Sequence, residues 1–271
     1  MNHLELFSGT HSFGKVSTKY NNNVISLDRD LCGKCPFSDY DNSDFHIQED
    51  IMSWNYKIFP PYYFDIITAS PVCLWWSNLR CSWIGRKMKS HNGKVCTKEL
   101  LEKDIDLFGK PMVDKVFEII EYFKPKYWII ENPQGGLMKH YISEKYSEYN
   151  TYHDFSYCKF SNWGYQKNTR FWNNINGLEN VLCKKDCKNI ITIDKQKLHY
   201  NRMGTSKTIK HNGKIIRCNT KVLREKYKNY ENLQFKKKDD DIYSQFGTNS
   251  IYERYRIPEK LIEEIFIKMV A

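Results

Sequence analysis

At 271 residues, 41% hydrophobic and 27% charged, the chain is long enough to bury one substantial core and carry a small appendage. No apolar stretch approaches the length of a membrane span, and the start MNHLELFSGT lacks the charged-then-apolar layout of a secretion signal, so an intracellular, non-membrane protein is expected. The formal net charge of +10 is concentrated: Lys184 to Lys238 holds 17 Lys and Arg against 4 Asp and Glu, a net +13, which leaves −3 for the rest. A basic block interleaved with Tyr200, Tyr227, Tyr230 and Phe235 suits a polyanion partner, because phosphate contacts release counterions. A solvated lysine-rich face is the alternative. The nine cysteines, an odd number without a secretion signal, are expected to be mostly reduced thiols.

Taken in chain order, the first half alternates strands and helices as a parallel sheet requires. His3–Phe7 reads as a short apolar strand, followed by Ser8-Gly9-Thr10 and a helix from about Ser12. Asn23–Leu27 is a second strand ending at Asp28, and Phe45–Gln48 a third ending near Asp50. Phe64–Ala69 is a buried strand closed by Pro71. Residues 74–98, rich in Trp, Ser and Gly, read as a mobile loop. The spacing of Val113, Val116, Phe117, Ile120 and Phe123 predicts a helix over 106–123, ended by Pro125 and followed by the strand Tyr127–Ile130. Shorter strands are expected near His153–Lys159 and Thr169–Asn173, no clear period over 175–245, and an amphipathic helix over Ile257–Met269.

Two places carry chemistry. After the first strand, Gly9 permits a ligand to approach the backbone and the following helix start offers free N–H groups. Asp28 sits where an acid can accept both hydroxyls of a ribose, and Asp50 where one can accept from an adenine amino group. A nucleoside-bearing cofactor fits these three elements, and a dinucleotide fold fits about as well. Each residue alone is also ordinary turn chemistry. The second place is Cys73 just past one buried strand and Glu131 just past another. That layout suits attack on a pyrimidine ring: the thiolate adds to a ring carbon while the acid grips the ring nitrogen that gains electron density.

These residues resemble the C5-cytosine DNA methyltransferases, in particular the compact branch of phages and large viruses. The resemblance runs in family order through LELFSGTHSFGKV (4–16), VISLDRD (24–30), EDIMSWNY (49–56), FDIITASPVCLWWS (64–77), PKYWIIENPQGGLMK (125–139), YCKFSNWGYQKNTRFWNN (157–174) and ERYRIPEKLIEEI (253–265). It implies a doubly wound, mostly parallel α/β sheet binding S-adenosylmethionine, with a small basic target-recognition segment appended. The implied division is 1–174 for cofactor and catalysis, 175–245 for target recognition and 246–271 returning to the catalytic part. Carried over position by position, Phe7, Ser8, Gly9, Thr10, Ser12, Asp28, Asp50, Ile51 and Pro71 hold the cofactor. Cys73 is the nucleophile toward cytosine C6, Glu131 and Asn132 grip the base edge, and Arg170 lies near base and nucleophile. The implied substrate is DNA with its cytosine swung out of the duplex. An inactive DNA-binding relative and the same chemistry on RNA are the alternatives.

The chain departs from the family pattern at three points: Val72 stands between Pro71 and Cys73, His11 replaces a frequent glycine, and the usual arginine pair is reduced to Lys167 and Arg170. Separately, Cys183-x3-Cys187 with His199, and with His211 or Cys218, has zinc-ligand spacing. Reduced loop thiols without a metal are the reading the sequence itself favours there.

Overall fold

Ile66-Ile67-Thr68-Ala69 has no polar alternation, and a run of that kind is stable only when both faces of a strand are covered. It forms β4 (Ile66–Ala69), buried along its whole length. The computed structural model describes residues 1–30, 45–193, 196–199, 207–211, 214–218 and 255–270. Around β4 lie β1 (Asn2–Leu6), β2 (Asn23–Asp28), β3 (Phe45–Gln48), β5 (Tyr127–Pro133), β6 (Tyr152–Ser156) and β7 (Asn168–Asn173), in the spatial order β3-β2-β1-β4-β5-β7-β6. The first five strands are mutually parallel, while β7 runs antiparallel between β5 and β6. Leu6 pairs with Ala69 and Ala69 with Ile130, so β1 and β4 end together, while β5, expected to end at Ile130, runs on through Pro133 because β7 keeps pairing with it, which places Glu131 inside the strand. Strand order reverses direction between β1 and β4, the place where open α/β sheets receive ligands.

Successive strand residues face opposite cores. Ile67 and Ile130 pack with Val113, Val116, Phe117, Ile120 and Phe123 of α3 (Lys110–Phe123). Ile66 and Ile129 pack with Phe13 and Val16 of α1 (Ser12–Lys19) and with Leu261, Ile262, Ile265 and Phe266 of a C-terminal helix (Glu259–Val270). The predicted helix over 106–123 begins earlier than its apolar period. It is α2 (Lys98–Asp104), capped by the Thr97 side chain on Leu100 N at 3.2 Å, then a π-helical turn at Ile105–Gly109, then α3. A further helix, α4 (Met138–Lys145), follows β5, which makes the C-terminal helix α5.

Residues 74–98, expected as a mobile loop, form 3-10 turns at Asn78–Trp83 and Lys89–His91. Their anchor is Arg80, buried and paired with Asp104, whose other oxygen lies 3.0 Å from His91 Nε2. Within the aperiodic stretch 175–245 the described residues make two hairpins, β8 (Ile190–Ile193) with β9 (Gln196–His199) and β10 (Lys207–His211) with β11 (Lys214–Cys218). Cys32 and Cys35, the aromatics Tyr200, Tyr227, Tyr230 and Phe235, and residues 219–254 lie outside the described residues. Among the described residues no helix is long and apolar enough to cross a membrane.

One buried group ties the central strands to pH. His3 on β1 is fully buried, and its Nε2 lies 2.9 Å from Thr68 Oγ1 on β4. Burial pushes its imidazole down to about 4, against the opposing pull of Glu5. The folded state therefore binds this proton more weakly than the unfolded chain does. The associated stability is present above pH 6.5, the unfolded value, and is lost as pH falls toward about 4. Urea unfolding should show wild type losing on the order of 3 kcal/mol more than His3→Gln across that window. Parallel pH profiles for the two proteins would refute the assignment.

Candidate active site

The chain leaves β1 through three residues in the left-handed region, Phe7 (φ 55°), Gly9 (φ 48°) and His11 (φ 54°). Phe and His pay steric strain there, which the surroundings must offset. Asp28, at the end of β2, helps hold the turn: its two oxygens accept from Gly9 N at 2.8 Å and from Asp30 N at 2.9 Å. Burial pushes the Asp28 carboxyl above its usual range despite those two donors. Asp50 accepts from Met52 N at 2.9 Å and begins the turn that buries Ile51. Thr10 Oγ1 and Ser12 Oγ lie 2.8 Å apart and line a cleft of about 760 Å3 shared with Phe160, Trp163 and Arg256. Ser8 Oγ is buried and finds no hydrogen-bond partner among the described residues, a polar atom that a ligand could satisfy.

The expectation of free N–H groups at the start of α1 is corrected. Phe13 N and Gly14 N donate to Glu5 Oε1 at 2.9 and 3.1 Å. Glu5 Oε2 lies 2.5 Å from His11 Nδ1 and accepts from Ser26 Oγ at 3.0 Å. Burial opposes the charge on Glu5, but His11 and the Gly14 N–H hold its carboxyl below the usual range. A buried carboxylate thus occupies the position where a pyrophosphate would sit, which argues against the dinucleotide reading and fits a cofactor without phosphate. The unusual His11 has a steric counterpart in Gly14, where a Cβ would come within 2.1 Å of the imidazole.

At the ends of β4 and β5 the structure brings Pro71, Cys73, Glu131 and Asn132 together. Asn132 Nδ2 donates to Pro71 O at 2.9 Å, Leu137 N donates to Trp76 O at 2.8 Å, and Asn78 Nδ2 donates to Gly135 O at 2.6 Å. Gly136 keeps both its own turn and the approach of the facing loop free of a Cβ, which would lie 3.1 Å from Pro133 O and 3.4 Å from Trp76 O. The added residue Val72 projects outward, 40% exposed, while Cys73 is half-buried. Burial raises the Cys73 thiol, the Glu131 charge raises it further, and Lys167 opposes both.

Glu131 is buried, and three groups converge on its Oε1: Thr169 Oγ1 at 2.5 Å, Tyr157 Oη at 3.1 Å and Lys167 Nζ at 3.9 Å. Among the described residues Asn132 Oδ1 is buried without a hydrogen-bond partner. Arg170 is placed elsewhere. Its guanidinium binds Asp154 through two bonds of 2.8 and 2.9 Å and stacks on Tyr152 at 3.4 Å. Lys167 and Thr169, one strand face over from Arg170, are the β7-side groups beside Glu131. Tyr157, Thr169 and Glu5 were missed by sequence reasoning; alternation along 166–171 was the available signal, but it needs a register that only the β5–β7 pairing supplies. Of the tryptophans after β4, Trp76 is buried core, Trp75 stacks on Phe108, and Arg80 lies over both Trp75 and Trp83.

A parallel sheet with an antiparallel strand inserted before its last position, a ligand turn after β1 and an acid after β2 defines the S-adenosylmethionine-dependent methyltransferase class of α/β enzymes. Within it, the chain is 36% identical over 190 residues, 69% of its length, to a frog virus 3 (isolate Goorha) protein described as a probable DNA (cytosine-5)-methyltransferase, and it spans 78% of that relative. The chain belongs to the DNA (cytosine-5)-methyltransferase family, whose methyl donor is S-adenosylmethionine. No protein-family model matches it. Among solved structures, a DNMT2 variant of Spodoptera frugiperda aligns at 14% identity and TM-score 0.43 over 68% of this chain and 56% of that one. The S. pombe Dnmt2 methyltransferase aligns at 13% and 0.41 over 66% and 52%. The chain thus spans just over half the length of these two structures.

The packing of His11 over Gly14 is testable by a double-mutant cycle. Gly14→Ala is expected to destabilise the fold by about 1–3 kcal/mol through overpacking. Adding His11→Gly should recover part of that loss in thermal or urea unfolding. Strictly additive effects of the two changes would show that the ring and the glycine are not coupled.

Proposed function

We propose that the protein transfers a methyl group from S-adenosylmethionine to C5 of cytosine in DNA, with Cys73 as a covalent nucleophile on a base swung out of the duplex. The observation that carries this reading is the joining of the two strand ends by the Asn132–Pro71 bond, which sets Cys73 in the electrostatic reach of Glu131. Phe7, Ser8, Gly9, Thr10, Ser12, Asp28, Asp50 and Ile51 form the cofactor side, and the unpartnered Ser8 hydroxyl and phosphate-excluding Glu5 are compatible with that ligand. Bound there, the cofactor supplies an electrophilic methyl group.

C5 of cytosine is a poor nucleophile until the ring is activated. The Cys73 thiolate forms a C–S bond at C6, and the electrons of the C5–C6 double bond become available at C5. The Glu131 carboxyl is suited to donating a hydrogen bond or a proton at N3, where the ring gains electron density, and the buried, unpartnered Asn132 Oδ1 is suited to accepting from the N4 amino group. Once C5 is methylated, loss of its proton and of the C–S bond restores the double bond and frees the thiolate. Lys167 and the hydroxyls of Tyr157 and Thr169 hold the Glu131 carboxyl in place. Residues 184–238 are the proposed DNA-contacting region on the strength of their net +13.

Incubation with labelled S-adenosylmethionine and DNA containing 5-fluorocytosine should leave a denaturation-resistant adduct that Cys73→Ala abolishes. DNA binding without an adduct would mark an inactive relative, and an adduct with the matched RNA alone would move the substrate. Glu131→Gln is expected to slow methylation by about 10²–10³-fold. Because the thiol is raised and only the thiolate attacks, kcat/KM should climb with pH from neutral into the alkaline range. Lys167→Gln should push that profile further alkaline, since Lys167 opposes the rise. A flat profile would discard the assignment of Cys73.

A further inference from the structure

Away from the strand ends that carry Cys73 and Glu131, a second group of soft ligands meets. Cys158, Cys183, Cys187 and His199 each offer one ligand atom, and the four atoms all lie within 4.8 Å of one another. We propose that these residues bind a zinc ion that fastens the root of the basic segment to the catalytic sheet.

The distances suit tetrahedral coordination. With Zn–S bonds of about 2.3 Å and Zn–N bonds of about 2.0–2.1 Å, a tetrahedron puts sulfur and nitrogen about 3.6 Å apart. His199 Nε2 lies 3.4 Å from Cys187 Sγ and 3.7 Å from Cys183 Sγ. Three thiolates and one imidazole are a closed structural set, with no position left open for a substrate. All three sulfurs are free thiols.

The ligands come from three places, and the backbone between them is fixed independently of any metal. Cys158 lies in the 3-10 turn Tyr157–Lys159 that follows β6. Cys183 follows Val181, which bridges to Phe155 and extends the sheet beyond β6, and Cys183 N donates to Ser156 Oγ at 2.9 Å. Cys187 closes a turn in which Asp186 pairs with Lys159 at 2.7 Å. The buried Asn189 side chain donates to Cys158 O and Ser161 O, both at 2.8 Å. His199 arrives at the end of the β8–β9 hairpin. Three thiolates around a dication leave a net −1, and Lys184, Lys185 and Lys188 supply compensating charge nearby in the chain.

Cys183, Cys187 and His199 were recognisable from spacing, but the fourth ligand was not. Cys158 lies 25 residues upstream and inside a run that the family resemblance assigns to the catalytic part. His211 and Cys218, the other sequence candidates, lie on the β10–β11 hairpin.

The full chain, expressed with zinc present and purified without chelator, should carry about one zinc per molecule by elemental mass spectrometry. Cys158→Ala and Cys187→Ala should each lose it, whereas Cys81→Ala, an exposed thiol outside the group, should keep it. Retention of the metal in both ligand variants would overturn the proposal. If those variants do not fold, cobalt(II)-loaded wild type decides: tetrahedral thiolate absorption supports the site, and an octahedral spectrum or failure to load overturns it. Chelation should also speed hydrogen exchange at 181–199 while leaving S-adenosylmethionine binding at the β1 turn unchanged. Unaltered exchange at 181–199 would remove the fastening role.

Discussion

The meeting of Cys73 with Glu131 depends on β5 running on past the end of its parallel neighbour β4. The pairing of β4 with β5 sets Ala69 beside Ile130; the chain then turns away as Pro71-Val72-Cys73 from β4, while β5 continues through Glu131 and Asn132 in its ladder with β7. The Asn132 amide bonded to Pro71 O turns that proximity into a fixed relation. Leaving such a buried acceptor unpaired costs about 1–3 kcal/mol, a large share of ordinary domain stability. Leu137 N bonded to Trp76 O and Asn78 bonded to Gly135 O bind the two loops a second time, so a residue more in the Pro71 turn can be absorbed outward at Val72.

Much of this was legible before any coordinates. Apolar runs without alternation announced the central strands, and Gly9, Asp28, Cys73 and Glu131 stood at strand ends where α/β sheets keep their chemistry. What could not be read was which face a side chain takes after a register is chosen. Arg170 and Thr169 are neighbours in sequence, yet one binds Asp154 and the other Glu131. Helix starts were also hidden. Thr97 begins the helical run well before the apolar period does, and a π-helical turn at 105–109 breaks the period that would have revealed it. Long-range meetings such as Cys158 with His199 leave no trace in local spacing.

The cofactor end shows a similar division between motif and physics. A strand, a glycine turn and a helix are shared by many nucleotide-binding folds, so the motif alone is ambiguous. Electrostatics separates them here. Glu5, His11 and Ser26 form a buried cluster that takes the first N–H groups of α1 for the protein itself. A ligand bearing phosphates would be repelled by the negative charge there, while a cationic sulfonium compound would not.

The packing of α5 has a consequence for the order in which the chain can become an enzyme. All seven strands of the main sheet have been synthesised by Asn173, yet Ile66, Ile129 and Phe171 share their core with Leu261, Ile265 and Phe266. The contacts that close this face join residues 245 and 142 positions apart: Ile257 N donates to Ser12 Oγ, and Tyr127 Oη to Met269 O. Such distant closure slows folding and keeps an apolar sheet face uncovered while the chain is growing. A nascent chain therefore holds Cys73 long before this second core is packed, and that face closes only when the far end of the polypeptide returns to the beginning.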